Sequence, residues 1–134
     1  MLSPEERQRL VAAAREAREC AYAPYSHYAV GAAILTASGK IYTGANVENA
    51  VYPLGLCAER VALFKAVSEG ERAFRAVAVV TSSGGTPCGA CRQALREFGA
   101  DWDVVVADEQ GEVRLETTLT VLLPASFSRE DLAD

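Results

Sequence analysis

Three cysteines, held in two separated strings, place the tightest demand on how this chain can fold: Cys57-Ala58-Glu59 and Pro87-Cys88-Gly89-Ala90-Cys91. Together they offer three thiolates and one carboxylate. A structural zinc site is normally closed by four protein ligands, whereas a catalytic site keeps one position for water. The fold must therefore bring the two strings together. The carboxylate of Glu59, two residues from one sulfur, is then placed to move protons to and from that water. The donor set points to metal-activated hydrolysis.

Local spacing says how each string should sit. Cys88 and Cys91 are three apart, which on a helix puts both sulfurs on one face, one turn apart. Pro87 marks the start of that helix, where a preset φ helps and a missing N–H is harmless. Free backbone N–H groups and the positive dipole end lie there, and both favour thiolate over thiol. Cys57 and Glu59 are two apart and would diverge in mid-helix. Cys57 is therefore expected at the first turn, where the backbone is not yet regular. Arg60, three beyond Cys57, can reach the same sulfur. Three thiolates outweigh the charge of Zn²⁺ and would blunt it as a Lewis acid. A guanidinium donating to one sulfur restores that electrophilicity.

The pattern around these strings reads as one α/β domain spanning residues 1–134. Ser3-Pro4-Glu5-Glu6 has the form of a capping box. Leu10, Ala14, Ala17 and Ala21 recur at helical spacing, with Pro24 expected to close the helix. Cys20, beside this stripe, reads as a buried structural thiol. Strands are expected over Tyr28–Thr36 and Lys40–Thr43, joined by a turn at Ser38-Gly39. A polar loop, Asn46–Leu56, leads to a helix over Ala58–Glu69. Val77–Thr81 is a continuous apolar run, as in a strand buried on both faces. The Ser82–Thr86 loop precedes a helix over Cys88–Phe98. Strands over Val104–Ala107 and near Val113–Leu115 follow, then a short helix over Thr117–Leu123. The order α-β-β-α-β-α-β-β requires crossovers, so part of the sheet should be parallel.

Composition narrows the partners. The net charge is −5, and the basic residues are interleaved with acids. Long nucleic acids need a clustered basic surface, so a polymeric nucleic-acid partner is not expected. The apolar runs are too short to span a bilayer, and the acidic N-terminus lacks the apolar stretch of a signal peptide. A soluble, cytoplasmic protein is expected, in which four cysteines mean metal or catalysis rather than disulfides.

The two cysteine strings match the zinc-deaminase signature, with Cys57 in the place often held by His. The chain as a whole resembles the small cytidine deaminases of pyrimidine salvage. Tyr22-Ala23-Pro24-Tyr25-Ser26, Val30-Gly31-Ala32-Ala33, Asn46-Val47-Glu48-Asn49-Ala50, Cys57-Ala58-Glu59-Arg60, Pro87 to Gln93, and Leu122-Leu123-Pro124 with Phe127 carry the resemblance. It covers about Ala12 to Leu132. It implies a three-layer α/β/α sandwich on a five-stranded mixed sheet and one zinc per subunit. It further implies a homotetramer whose active sites are completed by neighbouring subunits, acting on a small nucleoside.

By the same resemblance, Cys57, Cys88 and Cys91 hold zinc and Glu59 is the proton carrier for attack at C4 of the pyrimidine. Asn46 and Glu48 bind the ribose, and backbone groups of Ala58 read the base edge. Phe127 reaches across a subunit boundary. Tyr28 stands where the family usually has Phe against the base, adding a hydroxyl that needs a partner. Ala45 replaces a Cys common in relatives, and the Ser82–Thr86 loop is shorter than in many, which suggests a more open mouth. His27 is expected at the surface. Two alternatives stay open: a deaminase of another small substrate, such as blasticidin S or a free base, and a non-catalytic zinc module, which would give Glu59 no task.

Overall fold

The computed structural model describes residues 1–132. Its helices are α1 (Pro4–Arg18), α2 (Ala58–Ser68), α3 (Gly89–Arg96) and the short α4 (Leu119–Leu122). Its strands are β1 (Val30–Thr36), β2 (Ile41–Ala45), β3 (Phe74–Thr81), β4 (Asp103–Ala107) and β5 (Val113–Thr118). The strands form one sheet in the order β2-β1-β3-β4-β5. The β3–β4 pair is parallel and the others are antiparallel. The expected mixed sheet and the expected element order are both present. Helix α2 carries the chain from β2 over β1 to β3, and α3 links the parallel pair.

Alternation along the strands divides the core into two layers. Leu10, Val11 and Ala14 of α1 pack on one face, against Ala33, Leu35, Ala76, Ala78 and Val80. On the other face Ala62, Leu63, Leu95 and Trp102 meet Ile34, Val77, Val79, Val104 and Val106. Strand β3 supplies both layers, which is why its sequence is an unbroken apolar run. The result is an α/β/α sandwich. Among the described residues no helix is long and apolar enough to cross a membrane.

The start of α1 is fastened as its sequence indicates. Ser3 Oγ accepts from the Glu6 N–H at 3.1 Å, and Glu6 Oε1 accepts from the Ser3 N–H at 3.0 Å. Glu6 also pairs with Arg75 of β3 at 2.5 Å. Hydrogen bonds from Arg75 and from the Ser3 backbone hold its carboxyl down at about 2. The far end of α1 differs from expectation. The helix stops at Arg18, well before Pro24, because its last turn tightens and the chain leaves to pair with the loop after β2. Cys20 N–H donates to Ala17 O, then Tyr22 N–H to Asn46 O. Cys20 is thereby exposed rather than buried.

Other boundaries shift for identifiable reasons. Strand β1 begins at Val30, because the Asn46 side chain bonds both the Tyr28 carbonyl and the Val30 N–H and holds the preceding segment as a loop. Strand β3 starts earlier, at Phe74, whose ring stacks on buried Trp102 with centroids 5.0 Å apart. Strand β5 runs on to Thr118; its mostly exposed side chains give little alternation to detect. The α2 and α3 helices end at Ser68 and Arg96, a little short of the expected Glu69 and Phe98. Thr118 caps α4, which is shorter than the expected span.

One close approach positions the site. A Cβ on Gly44 of β2 would lie 2.6 Å from the Ala62 nitrogen and 2.7 Å from the Ala58 oxygen. The first turns of α2 therefore ride directly on the β2 backbone. Gly44→Ala is expected to push α2 outward and destabilise the fold by about 2–3 kcal/mol, measured as a lower urea midpoint with an unchanged slope.

Candidate active site

Cys57 and Cys88 occupy equivalent places: each is the N-cap residue of its helix, in extended backbone, at ψ 154° and ψ 168°. Neither uses its side chain as a cap. Each sulfur is therefore free to face away from its own helix. Cys91 lies one turn into α3 and is buried. The three Sγ atoms lie within 4.8 Å of one another, with Cys57 and Cys88 3.8 Å apart. A tetrahedral zinc with bonds of about 2.3 Å needs sulfurs about 3.8 Å apart. The expected convergence of the two strings is therefore present, and the spacing suits zinc.

The charges agree with a cation held there. Hydrogen bonding from Cys91, with help from Arg60 and Cys88, lowers the Cys57 thiol to about 5. The Cys91 thiol is pushed up, chiefly because it donates to the Cys57 sulfur and also because it is buried. Three thiols packed this closely resist ionising together, and a dication removes that conflict. Arg60 Nη2 donates to Cys57 Sγ at 3.4 Å, as its spacing suggested, and the sulfur contact raises its own pKa. Glu59 is only 4% exposed. Burial, reinforced by the Cys57 charge, raises its pKa and favours the protonated form. A carboxyl so poised can both take and give a proton.

Cys57, Cys88, Glu59 and Arg60 line a cavity of about 330 Å³, within the range of small-molecule sites. Tyr28, Asn46 and Glu48 line it too, so most of the site residues expected from sequence meet here. Their polar groups are already partly engaged. Asn46 Oδ1 accepts from the Val30 N–H at 2.9 Å, and its Nδ2 donates to the Tyr28 carbonyl at 2.8 Å. Glu48 Oε1 accepts from the N–H groups of Tyr25 and Ser26 at 2.9 and 3.1 Å, and Oε2 bonds the Ser26 hydroxyl. That hydroxyl bond is the main cause holding the Glu48 carboxyl below the usual range. The Tyr28 hydroxyl finds its partner in Ser83, at 3.0 Å.

Besides the buried donor Cys91, which lies behind the cavity wall, two expected residues do not face the cavity through their side chains. Ala58 is fully buried at the first position of α2, where only its backbone could serve a ligand. Phe127 is 57% exposed and apart from the cavity; its carbonyl accepts from Gln93 Nε2 at 2.9 Å. Residues not picked out from sequence also line the wall, among them Val79, Thr81, Gly85 and Thr86. Thr81 ends an apolar run, and a hydroxyl at a strand's end was the available signal. Gly85 carries no side-chain signal at all.

Fold and centre together define a zinc-dependent hydrolytic deaminase. The sequence model described as cytidine and deoxycytidylate deaminase zinc-binding region matches residues 4–107. The chain is 49% identical over 129 residues to the cytidine deaminase of Sporosarcina psychrophila, covering 94% of each. It is 50% identical over 132 residues to that of Halalkalibacterium halodurans, covering 96% of this chain and 99% of the relative. A 1.6 Å crystal structure of cytidine deaminase from Burkholderia pseudomallei superposes with a TM-score of 0.85 at 48% identity, over 94% of this chain and 100% of the other. The chain belongs to the cytidine and deoxycytidylate deaminase family.

The purified protein is expected to hold one zinc per chain. Cys91→Ser, which alters the buried donor, should leave well under half of that in metal analysis after dialysis against a mild chelator.

Proposed function

We propose that the chain deaminates cytidine and 2′-deoxycytidine to uridine and 2′-deoxyuridine, releasing ammonia. The observation that carries this reading is the buried Glu59 carboxyl beside three convergent sulfurs, on the wall of a cavity suited to a small molecule. High identity to cytidine deaminases over nearly the whole chain supports the choice of substrate.

Cys57, Cys88 and Cys91 would hold zinc, which when bound would supply the Lewis acidity that makes water nucleophilic near neutral pH. The chain's own residues handle the protons. Glu59 takes one proton from the attacking water and delivers it to N3, which makes C4 more electrophilic. It then takes the remaining water proton from the new C4 hydroxyl, which becomes the carbonyl, and passes it to the departing amino group. A C4–O bond forms, the C4–N bond breaks, and water and cytidine become uridine and ammonia. Arg60 draws charge from the Cys57 sulfur and so keeps the metal electrophilic.

Asn46 and Glu48 meet the ribose with the donor and acceptor capacity that the loop leaves them. Backbone polar groups of Ala58, in the unbonded first turn of α2, read the base edge. The Tyr28 ring lies against the base. Phe127, exposed here, is contributed to a neighbouring subunit's site in a homotetramer. The 134 residues act as one domain, in the cytoplasm, in pyrimidine salvage.

Loss of cytidine absorbance and release of ammonia test the activity, with cytosine and blasticidin S as competing substrates; turnover of either in preference to cytidine would overturn the assignment. Glu59→Gln should keep zinc and thermal midpoint but lower turnover by about a thousandfold or more. Arg60→Ala should retain the metal and slow turnover; an unchanged rate would discard the charge argument for Arg60.

A further inference from the structure

The Ser82–Thr86 loop is held from several sides where it borders the cavity. The Gly85 N–H donates to Thr81 Oγ1 at 2.8 Å. Arg92 Nη2 donates to Thr86 Oγ1 at 3.1 Å. From outside, the Arg114 stem presses on Gly84, where a Cβ would lie 2.8 Å from Arg114 Cγ. Arg114 is itself anchored by buried Asp108, at 2.7 Å. On the cavity side, Ser83 bonds the Tyr28 hydroxyl. Immediately beside that bond, a Cβ on Gly85 would lie 2.7 Å from Tyr28 Oη, and no nearer than 3.8 Å to the next atoms, Ser83 Oγ and Thr81 Oγ1.

We propose that the missing Cβ of Gly85 makes room for the Tyr28 hydroxyl, and that this fit, secured by Ser83, sets the position of the aromatic wall of the substrate cavity. Gly85 is then a positioning residue that acts through Tyr28. A methyl group there has one serious collision, and the bracing decides which side yields. The loop is tied to Thr81 and Arg92. The Tyr28 backbone is tied by its N–H to Ser26 Oγ at 3.1 Å and by its carbonyl to Asn46 at 2.8 Å. What remains to move is the Tyr28 ring, swinging away from Ser83. Gly85 has no left-handed φ, so alanine there adds volume without backbone strain.

The inference rests on the reading of the cavity as a nucleoside site, and a four-protein cycle separates the two. Gly85→Ala is compared in the native and in the Tyr28→Phe background, with KM and kcat for cytidine, zinc content and thermal midpoint as readouts. In the native background the substitution should raise KM about tenfold, the low end of what one misplaced methyl group costs in a pocket, with zinc and kcat maintained. In the Tyr28→Phe background, which removes the colliding oxygen, KM should change by less than about twofold. An equal change in both backgrounds, or a lower midpoint with an unaltered KM, would overturn the proposal. If the native protein does not turn over cytidine, the nucleoside reading fails and the midpoints decide. A drop confined to the native background supports the interlock, and the same drop in both refutes it.

Discussion

Two helix beginnings meet at three sulfurs, and the rest of the architecture follows from that meeting. A cysteine at an N-cap keeps extended backbone at the threshold of the helix, so its sulfur is free to turn aside. Two such caps, from helices packed on the same face of the sheet, make a shared pocket of donors. The arrangement needs α2 and α3 at a fixed height above the strands. Gly44 sets that height for α2 by admitting its backbone onto β2. The parallel β3–β4 pair sets it for α3, because a crossover helix between neighbouring parallel strands has little freedom in where it begins.

Electrostatics within the pocket divide the work. Arg60 stands on the sulfur side and lowers the charge that the ligands present, while Glu59, from the adjacent position in the helix, stands in a dry environment that resists ionisation. Neighbouring residues on a helix point about 100° apart. That difference lets one turn place a cation against the sulfurs and a buried carboxyl on the cavity wall without the two forming an ion pair.

The metal centre was legible because its geometry is local. Cys88 and Cys91 share a helix face by spacing alone, and the closeness of Cys57 to Glu59 demanded an irregular first turn, which is where both lie. The layers were legible in Val77–Thr81, since a strand covered on both faces must be apolar throughout. What could not be seen depends on contacts between distant segments. Helix α1 stops at Arg18 because Tyr22 pairs with Asn46, and neither residue announces the other. Cys20 follows that departure into solvent. Gly85 and Thr81 border the cavity through chain placement, and a glycine's contribution there is a space rather than a group. For Tyr28 the sequence posed the question of a partner hydroxyl, and tertiary folding answered it with Ser83.

The pair of hydrogen bonds that the Asn46 side chain makes, accepting from the Val30 N–H and donating to the Tyr28 carbonyl, joins two duties in one amide. It fastens the segment ahead of β1 and stands in the pocket. Attempts to reshape this cavity for other ligands by randomising position 46 would therefore mostly return proteins with a loosened rim. Redesign has better ground at side chains that touch the ligand space without also carrying the backbone.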